Sequence, residues 1–380
     1  MIGRRASRPP ARVWAIIAGG GTGGHVVPAI AIGRALVERG HPAGSIRFVG
    51  SRRGIEGRLV PAAGFDLTVL PGRGIARRFT WDNAGAAGGL LVAAAEALVL
   101  VRRLRPAVVV SVGGYASVAC ALAAALWRVP LVVAEQNASP GLANRLAGRA
   151  AAACATSWPG TRLPRAVVTG NPVRPEILAV DRSPEGMRSA RRALDLPEDA
   201  LVVAAAGGSL GARRINDAVL GLVRLWRDRR GVAVRHVVGE RDFDVVSAGS
   251  PDTGEGGLAY QQVRFEDRMD LLLAASDVTV QRAGASTVSE LVAAAVPSIL
   301  VPLPGAPGDH QTLNARRLAD AGAAVMVPDA ELDAARLAAE LDRLLGDEAV
   351  RRAMSKACAA LARPGAADAV AALVEEHARG

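Results

Sequence analysis

Lysine, cysteine and aromatic residues are scarce in this chain of 380 residues. Lysine occurs once, at Lys356, so arginine carries the formal net charge of +10. The three cysteines, Cys120, Cys154 and Cys358, are widely spaced and odd in number, which argues against a disulfide framework or a cysteine metal cluster and favours a reducing cytoplasm. Aromatic residues make up 3% and hydrophobic residues 50% of the chain, so the cores must consist of alanine, valine and leucine.

Long apolar runs are also missing. No uninterrupted run approaches the roughly 18 residues that span a bilayer, and residues 90–101 are interrupted by Glu96. The apolar stretch 13–18 is too short for the core of a signal peptide. We therefore expect a soluble or peripheral protein. Its positive charge favours anionic partners without selecting among nucleic acid, membrane and phosphorylated substrates.

Short apolar runs alternate with longer alanine- and leucine-rich helical patterns, which indicates βαβ units and parallel sheets. The length exceeds that of one hydrophobic core, so two domains are expected. The runs form two series of six predicted strands: residues 13–18, 46–49, 67–70, 107–112, 131–134 and 166–169, then residues 201–206, 233–238, 262–265, 277–281, 298–301 and 324–327. This pattern predicts an α/β fold of two Rossmann-like domains facing a cleft.

The boundary between the domains is predicted at residues 170–175 (GNPVRP), because two prolines forbid a regular helix and the glycine permits unusual backbone angles. The N-terminal domain then comprises residues 1–170 and the C-terminal domain residues 171–360. The polar segment 183–192 is predicted to belong to the same crossing. The last helix, about residues 361–380, is predicted to pack back on the first domain.

A glycine-rich loop, residues 19–25 (GGGTGGH), lies between the first predicted strand and a helical pattern. Its glycines allow close backbone approach, and the N–H groups of a helix start suit an anion or a polar head group. The spacing also satisfies the dinucleotide fingerprint G-x-G-x-x-G, which leaves an oxidoreductase as an alternative. The second strand ends without the acidic residue that NAD needs, but Arg52 and Arg53 suit the phosphate of NADP.

A second glycine loop, residues 207–213 (GGSLGAR), occupies the same position in the second half. Two such halves form a cleft between the carboxyl ends of two sheets, whereas an ordinary dehydrogenase needs one loop. The alternative is that these glycines only make a tight turn from strand to helix. The paired loops favour a nucleotide-sugar enzyme.

Residues 281–290 (QRAGASTVSE) follow a predicted strand and open another helix. The N–H groups from Gly284 to Thr287 suit a diphosphate, and Glu290 suits the hydroxyls of a ribose. The same threonine and glutamate have capping-box spacing, so they alternatively only satisfy the helix start. Further on, residues 308–315 (GDHQTLNA) offer donors and acceptors for sugar hydroxyls.

Together these motifs resemble the MurG family of bacterial cell-wall N-acetylglucosaminyltransferases. The match spans residues 16–327 through GGGTGGH (19–25), GGY-x-S (113–117), EQN (135–137), GNPVR (170–174), GGS-x-GA (207–212), ASTVSE (285–290) and DHQ-x-x-NA (309–315). The resemblance implies a GT-B type fold and inverting transfer of GlcNAc from UDP-GlcNAc to the 4-hydroxyl of the MurNAc sugar of lipid I, giving lipid II in peptidoglycan synthesis. A non-catalytic nucleotide-sugar-binding protein stays open as a further alternative.

The resemblance also implies the site residues. The residues facing the acceptor would be Gly21, His25, Tyr115 and Glu135. The residues contacting the donor would be Thr22, Gly23, Gly24, Asn137, Arg174, Ser209, Glu266, Gly284, Ala285, Ser286, Thr287, Val288, Ser289, Glu290 and Gln311, with Glu266 contacting uracil through its backbone.

Displacement at an anomeric carbon needs a base for the incoming hydroxyl and stabilisation for the departing diphosphate. His25 is predicted as the catalytic base, because an ordinary pKa of about 6.5 suits proton transfer near neutral pH; alternatively it only orients a ligand. Glu135 is the second candidate catalytic residue. The helix start at Gly284 and the side chain of Arg174 are predicted to stabilise the leaving group without a metal or another cofactor. Residues 242–244 (DFD) are predicted to be a solvated loop.

Two positions depart from the family pattern. The family commonly has histidine before EQN, where this chain has Ala134, so any acceptor role of that imidazole is missing. The usual apolar residue after Phe265 is replaced by Glu266, which is tolerable if backbone groups contact the uracil.

A lipid-linked acceptor requires a membrane contact. Residues 74–81, residues 90–105 and the pair Trp127-Arg128 combine apolar and cationic groups, so the first domain is predicted to bind an anionic membrane surface on the cytoplasmic face. The alternative is an ordinary packed helix with a basic C-terminus. No nucleic acid is expected as a partner.

Overall fold

The computed structural model describes residues 12–52, 54–71, 82–208, 211–254 and 256–380. The chain divides into two compact units. The first unit comprises Met1–Pro172 and Gly365–Gly380, and the second unit comprises Val173–Pro364.

The first unit contains a parallel sheet of seven strands in the order β3-β2-β1-β4-β5-β6-β7. Its strands are β1 Ala15–Ala18, β2 Ile46–Ser51, β3 Asp66–Leu70, β4 Val108–Ser111, β5 Leu131–Glu135, β6 Ala153–Thr156 and β7 Ala166–Val168. Its helices up to the boundary are α1 Gly23–Glu38, α2 Glu56–Ala62, α3 Asp82–Leu104, α4 Tyr115–Leu126 and α5 Leu142–Gly148. The order is that of a doubly wound Rossmann sheet with one further strand.

Apolar residues cover both faces of this sheet. Ile16 and Val109 belong to a core cluster on one face, whereas their chain neighbours Ile17 and Val110 belong to a cluster on the other. Strands buried on both faces have continuous apolar runs instead of an alternating pattern. This explains why the short runs in the sequence predict the strands so directly.

Strand β6 is not predicted by the sequence pattern. It consists of Ala-Cys-Ala-Thr, all of them buried, and pairs with β5 and β7. Alanine favours helices over strands, and β6 follows an alanine-rich helical stretch. The tertiary contacts of a fully buried strand that is paired on both sides override that local preference.

The second unit contains a parallel sheet of six strands in the order β10-β9-β8-β11-β12-β13. Its strands are β8 Leu201–Ala206, β9 Val232–Val237, β10 Ala259–Val263, β11 Val278–Gln281, β12 Ser298–Leu300 and β13 Ala324–Met326. Its helices are α6 Pro175–Leu178, α7 Pro184–Ala193, α8 Arg213–Leu225, α9 Phe243–Ala248, α10 Met269–Ala275, α11 Ala285–Ala293, α12 His310–Asp320, α13 Ala334–Gly346 and α14 Glu348–Leu361. It repeats the Rossmann order, so two Rossmann-like α/β units are present as predicted.

Helix α7 corrects the prediction for the polar segment 183–192. The segment is a helix of the second unit, capped by the Ser183 hydroxyl, which accepts a hydrogen bond from the N–H of Gly186. Arg191 of α7 is buried, donates to the carbonyl of Ala275 and pairs with Asp277. The segment looks polar throughout in the sequence, although Arg191 is buried and only Arg188 and Arg192 are exposed and paired with exposed carboxylates.

The last helix, α15 Ala366–His377, belongs to the first unit. Arg39 at the end of α1 pairs with Asp368 and Glu375 of α15, and Val370 and Val374 are buried. Among the described residues, the stretch 348–377 has the length and apolar composition of a membrane span. This stretch contains two separate helices, α14 and α15, with residues 362–365 between them. Helix α14 belongs to the second unit and α15 to the first.

Candidate functional site

The first glycine loop connects β1 to α1 and contains backbone conformations that require glycine. Gly20 and Gly21 have φ angles of 151° and 95°. A Cβ atom on Gly20 would lie 2.3 Å from a carboxylate oxygen of Glu56, and one on Gly114 would lie 2.5 Å from the carbonyl oxygen of Gly20. The loops after β1 and β4 therefore meet at the point where the strand order of the first sheet reverses, the usual ligand position in such sheets.

Glu56, the first residue of α2, contacts this loop, and the sequence does not indicate that contact. It is 1% exposed, and its carboxylate accepts hydrogen bonds from the N–H of Gly21 at 3.0 Å and from the N–H and hydroxyl of Ser51 at 2.7 and 2.8 Å. Burial acts to raise the pKa of Glu56, but these bonds outweigh it and hold the pKa below its usual value. A fixed negative charge thus supports the loop from below.

Gly20, Gly50 and Gly54 make room for that carboxylate. A Cβ atom on any of the three would lie within 2.5 Å of a Glu56 side-chain atom. Gly50 lies in β2 and Gly54 on the connection from β2 to α2, whereas Gly20 lies on the loop after β1, so the approach of Gly20 to this carboxylate is visible only in the fold.

His25 lies in the first turn of α1, where the prediction places the catalytic base. Its Nδ1 is 3.4 Å from the Thr22 hydroxyl, and a Cβ atom on Gly113 would lie 2.9 Å from its Nε2. Gly21 and Thr22 are exposed, and Gly23, Gly24 and His25 are partly exposed. The structure therefore brings the predicted residues of this loop together at one accessible surface.

Glu135 is 3% exposed and ends strand β5. Its Oε1 accepts from the N–H and side-chain amide of Asn137 at 2.9 and 3.1 Å, and its Oε2 accepts from the N–H of Gly141 and the amide of Asn144 at 3.0 and 2.9 Å. Both carboxylate oxygens are engaged in holding the loop after β5. This geometry argues against Glu135 as a proton acceptor and favours a role in positioning Asn137.

Tyr115 begins helix α4, and its hydroxyl lies 2.6 Å from the carbonyl oxygen of Gly89 and 3.0 Å from that of Pro71. Burial and the charge of Glu96 raise the pKa of this hydroxyl. The structure therefore assigns the Tyr115 hydroxyl to the backbone of the first unit, which leaves its ring as the part that would contact an acceptor.

In the second unit, β8 and β11 are the central pair and lead into α8 and α11. The strand order reverses between them, so their carboxyl ends form the ligand position of this sheet. The second glycine loop follows β8 and the start of α11 follows β11. Gly208 and Gly211 have φ angles of 90° and 81°, while Ser209 and Leu210 lie outside the described residues.

Helix α11 begins at Ala285, and its N-cap residue Gly284 has no side chain with which to cap it. Thr287 is the third helical residue and not the cap, which rules out the capping-box alternative. The Ser286 hydroxyl is buried and has no hydrogen-bond partner among the described residues. An uncapped helix start beside an unsatisfied hydroxyl is suited to an anion.

The predicted donor residues of α11 divide into two groups. Ser286, Thr287 and Glu290 are partly exposed. Ala285, Val288 and Ser289 are buried, and the Ser289 hydroxyl donates to the Ala285 carbonyl at 2.8 Å. The side chains of the second group therefore face the core, and only their backbone is placed to contact a ligand.

Arg174 and Glu290 are bonded to each other. Arg174 donates from Nε and from a terminal nitrogen to Oε1 of Glu290 at 3.1 and 2.9 Å. Burial raises the pKa of Glu290 and the Arg174 guanidinium opposes that shift. The sequence predicts separate contacts of Arg174 with phosphate and Glu290 with ribose, whereas the structure pairs them beside the start of α11.

Gln311 lies in the first turn of α12 and joins two loops. Its side-chain oxygen accepts from the N–H of Ala283 at 3.2 Å and from the N–H of Leu303 at 2.9 Å. The oxygen is therefore occupied, and its amide nitrogen is the group left for a sugar hydroxyl.

Glu266, the departure from the family pattern, is 7% exposed. Its Oε2 accepts from Nε and a terminal nitrogen of Arg235 in β9, both at 2.8 Å, and its Oε1 accepts from the N–H of Arg268 at 3.1 Å. The charge is thus paired inside the second unit. The neighbouring Phe265 is 47% exposed and presents an aromatic surface that the sequence motifs do not indicate.

The second glycine loop is supported by a neutral chain of side chains. Gln262 donates to the Tyr260 hydroxyl, whose oxygen lies 3.0 Å from Nδ1 of His236. Nε2 of His236 lies 3.0 Å from the side-chain oxygen of Asn216, which is an acceptor only, so Nε2 carries the proton. Burial lowers the pKa of His236 to about 4.

This series of hydrogen-bonded side chains ends at the second glycine loop. Asn216 donates to the carbonyl of Val238 at 3.2 Å, and a Cβ atom on Gly211 would lie 2.7 Å from that carbonyl oxygen. Asp242, predicted to be solvated, is 6% exposed and paired with Arg241, which lowers its pKa. The prediction is wrong for Asp242 because this residue packs under the loop, whereas Asp244 is exposed and pairs with Arg264.

Helix α3 carries part of the predicted membrane surface. Leu91, Val92 and Val99 are 74, 51 and 66% exposed, and the helix ends with the exposed Arg102 and Arg103. Arg102 lies over the ring of Trp127 at 4.8 Å. Residues 74–81 lie outside the described residues. The described part combines an exposed apolar strip with cationic groups at one end.

Two family models match the chain. The glycosyltransferase family 28 N-terminal domain matches residues 15–156, and the glycosyltransferase family 28 C-terminal domain matches residues 202–370.

Curated relatives named UDP-N-acetylglucosamine--N-acetylmuramyl-(pentapeptide) pyrophosphoryl-undecaprenol N-acetylglucosamine transferase match nearly the full chain. The protein of Moorella thermoacetica is 40% identical over 363 residues, which cover 93% of this chain and 96% of the relative. That of Alkalilimnicola ehrlichii is 42% identical over 366 residues, 96% of this chain and 99% of the relative. The crystal structure of Acinetobacter baumannii MurG is similar with a TM-score of 0.73 and 27% identity, covering 95% of this chain and 99% of that one.

Proposed function

Since the chain belongs to glycosyltransferase family 28, and within it to the MurG family, we propose that it transfers GlcNAc from UDP-GlcNAc to the 4-hydroxyl of MurNAc in lipid I, with inversion, to give lipid II. The predicted family, the GT-B type fold and the N-acetylglucosaminyltransferase class are confirmed by the two family models and the full-length relatives. The oxidoreductase and the non-catalytic binding protein find no support among them. The observation that carries the proposal is the 40% identity to a relative of that name over nearly the whole chain.

The second unit binds the donor in this proposal. The start of α11 accepts the diphosphate, because its N-cap is a glycine, the Ser286 hydroxyl beside it has no partner among the described residues and the helix dipole favours an anion. Arg174 lies within reach of that position through its bond to Glu290. The pair then exchanges partners when the donor binds: the guanidinium contacts phosphate and the Glu290 carboxylate accepts from the ribose hydroxyls.

The first unit supplies the acceptor side and the base. The 4-hydroxyl oxygen attacks the anomeric carbon, the bond from that carbon to the diphosphate oxygen breaks, and UDP leaves. His25 takes the hydroxyl proton on Nε2, while its Nδ1 faces the Thr22 hydroxyl. Glu135 orients Asn137, and the Tyr115 ring and the Gly21 backbone contact the acceptor.

The electrostatics of the first loop fit this division. A diphosphate on this loop would approach the buried carboxylate of Glu56, which already accepts the N–H of Gly21. A sugar hydroxyl carries no charge and meets no such repulsion. The first loop therefore suits the neutral part of a ligand better than a dinucleotide pyrophosphate.

The exposed strip of α3 with Arg102 and Arg103 supports peripheral binding to the anionic cytoplasmic face of the membrane. Co-sedimentation with vesicles containing anionic lipid tests this. The double substitution Leu91→Glu and Val99→Glu is expected to abolish sedimentation. The control is Leu225→Glu, because Leu225 is a leucine of the second unit that is 60% exposed. Unchanged sedimentation of the double variant would contradict the membrane proposal.

The transfer itself is tested by supplying the pure protein with UDP-GlcNAc and a lipid I analogue. We expect UDP release that depends on the acceptor, and a product that carries one additional GlcNAc by mass. UDP release no faster than hydrolysis without acceptor would sink the transferase proposal.

A further inference from the structure

We propose that the buried ion pair of Arg235 and Glu266 is a positioning device that presents the backbone of Glu266 to the uracil of the donor. The inference rests on the proposed function, since it concerns the base of the same nucleotide. It assigns to two charged residues the task that an apolar residue performs in the family pattern.

The pair is buried and fixed from both sides. The side chains of Arg235 and Glu266 are 11% and 5% exposed. Arg235 also donates to the side-chain oxygen of Gln261 at 2.7 Å and to the carbonyl of Leu194 at 3.2 Å. Glu266 accepts the N–H of Arg268 with its other oxygen. A planar guanidinium with several partners defines one orientation of the loop that follows β10.

The pairing turns the side chain of Glu266 inward and leaves its backbone for a ligand. Among the described residues, neither the N–H nor the C=O of Glu266 has a backbone hydrogen-bond partner. A buried residue with both backbone groups unbonded is unusual unless water or a ligand satisfies them. The pair thus fixes the position of a residue whose backbone donor and acceptor are both unbonded, on the loop that follows the carboxyl end of β10.

This arrangement is complementary to uracil. The O4 and N3–H groups of uracil are an adjacent acceptor and donor, which match a backbone N–H and C=O. Cytosine presents an amino donor and a bare nitrogen acceptor at the same atoms, so both bonds fail. A site built to form hydrogen bonds rejects the mismatched base strongly, because its own polar groups stay unpaired.

A second buried ion pair of the same unit provides a matched control. Arg191 and Asp277 have side chains 9% and 12% exposed, and Arg191 also donates to backbone carbonyls of Ala275 and Glu198. Removing Arg191 removes a comparable network without touching the loop after β10. A purely structural role of Arg235 would make the two substitutions equivalent.

The experiment measures the affinities of UDP and CDP by calorimetry, together with thermal unfolding. Arg235→Met is expected to lower the melting temperature and to weaken UDP binding about tenfold while CDP binding changes little. Arg191→Met is expected to lower the melting temperature with a UDP affinity within about twofold of the parent. The double variant Arg235→Met, Glu266→Ile, which restores an apolar residue, is expected to recover UDP affinity to within about threefold.

Equal UDP affinity of the parent, Arg235→Met and Arg191→Met would overturn the inference. Should Arg235→Met fail to fold, Glu266→Gln carries the test. It keeps the shape but loses the charge, and an unchanged preference for UDP over CDP would again overturn the inference. A parent protein that binds no UDP would contradict the proposed function itself, which is a separate outcome.

Discussion

The two glycine loops look interchangeable in the sequence, yet the structure supports them by opposite means. The loop after β1 lies on the buried carboxylate of Glu56, which accepts one of its N–H groups. The loop after β8 lies on a neutral chain through His236 and Asn216, and the nearby carboxylate of Asp242 is paired with Arg241. One loop carries a fixed negative charge and the other does not.

The charge next to each loop determines which part of a charged ligand that loop suits. The same strand-loop-helix design presents N–H groups in both units, so geometry alone does not distinguish them. The charge beneath the loop does. A diphosphate is disfavoured above Glu56 and favoured at the uncapped start of α11, beside Arg174.

Substitution of His25 is expected to have a greater effect than any other substitution considered, and it distinguishes a catalytic first loop from one that only binds the donor. His25→Ala is expected to reduce kcat about 100- to 10,000-fold, because it removes the proton acceptor. UDP affinity should not change, since the diphosphate binds the second unit. Steady-state kinetics and calorimetry check the two parts. His41→Gln, in the same unit, is the control, and equal losses of UDP affinity and kcat in His25→Ala would contradict the assignment.

Acidification should destabilise the second unit through protonation of His236. Its folded pKa of about 4 lies below the ordinary value of 6.5, so it stabilises the fold fully above pH 6.5, and that contribution is lost as the pH falls towards 4. The shift corresponds to about 3 kcal/mol in total. Hydrogen exchange in β9, measured at pH 7 and pH 5, should show falling protection in the parent and a flatter pH dependence in His236→Gln. Parallel pH dependences would contradict the prediction.

A smaller effect is expected at Glu56. Glu56→Gln places an amide donor among three donors, which should cost about 1–3 kcal/mol in the free energy of unfolding of the first unit. The folded pKa of Glu56 is lowered, so its contribution is present above the ordinary value of 4.5 and is lost as the pH falls through the folded pKa. The KM for the acceptor should rise while the KM for UDP-GlcNAc stays constant.

Glu38→Gln, an exposed carboxylate of α1, is the control for Glu56→Gln. Denaturant unfolding at neutral pH and initial-rate kinetics check both variants. Identical behaviour of the two would show that the carboxylate does not support the loop.

Much of the fold follows from the sequence because strands buried on both faces produce continuous apolar runs. The exceptions have physical causes. Two of the four residues of strand β6 are alanine, which has little strand preference, and helix α7 buries one of its arginines, Arg191, in bonds to carbonyl groups. Sequence periodicity reports neither effect.

The sequence indicates candidate site residues where a single segment contains them, as in residues 19–25 and 284–290. The sequence does not indicate contacts between distant segments. Glu56 meets Gly20 across 36 positions of the chain, and Arg235 meets Glu266 across 31. Such pairs depend on strand order, which no local pattern contains. The hydrogen bonds of Tyr115 and Gln311 were hidden for the same reason, because their partners lie on other connections.

The most direct test of the central claim places the same charge at both helix starts. Thr22→Asp and Thr287→Asp each put a carboxylate in the first turn of a helix or at its cap, where it is compatible with helix stability. UDP affinity is then measured by calorimetry. We expect Thr287→Asp to weaken UDP binding at least about tenfold by charge repulsion, and Thr22→Asp to leave it within about twofold. A larger loss in Thr22→Asp than in Thr287→Asp would place the diphosphate on the first loop and contradict the account.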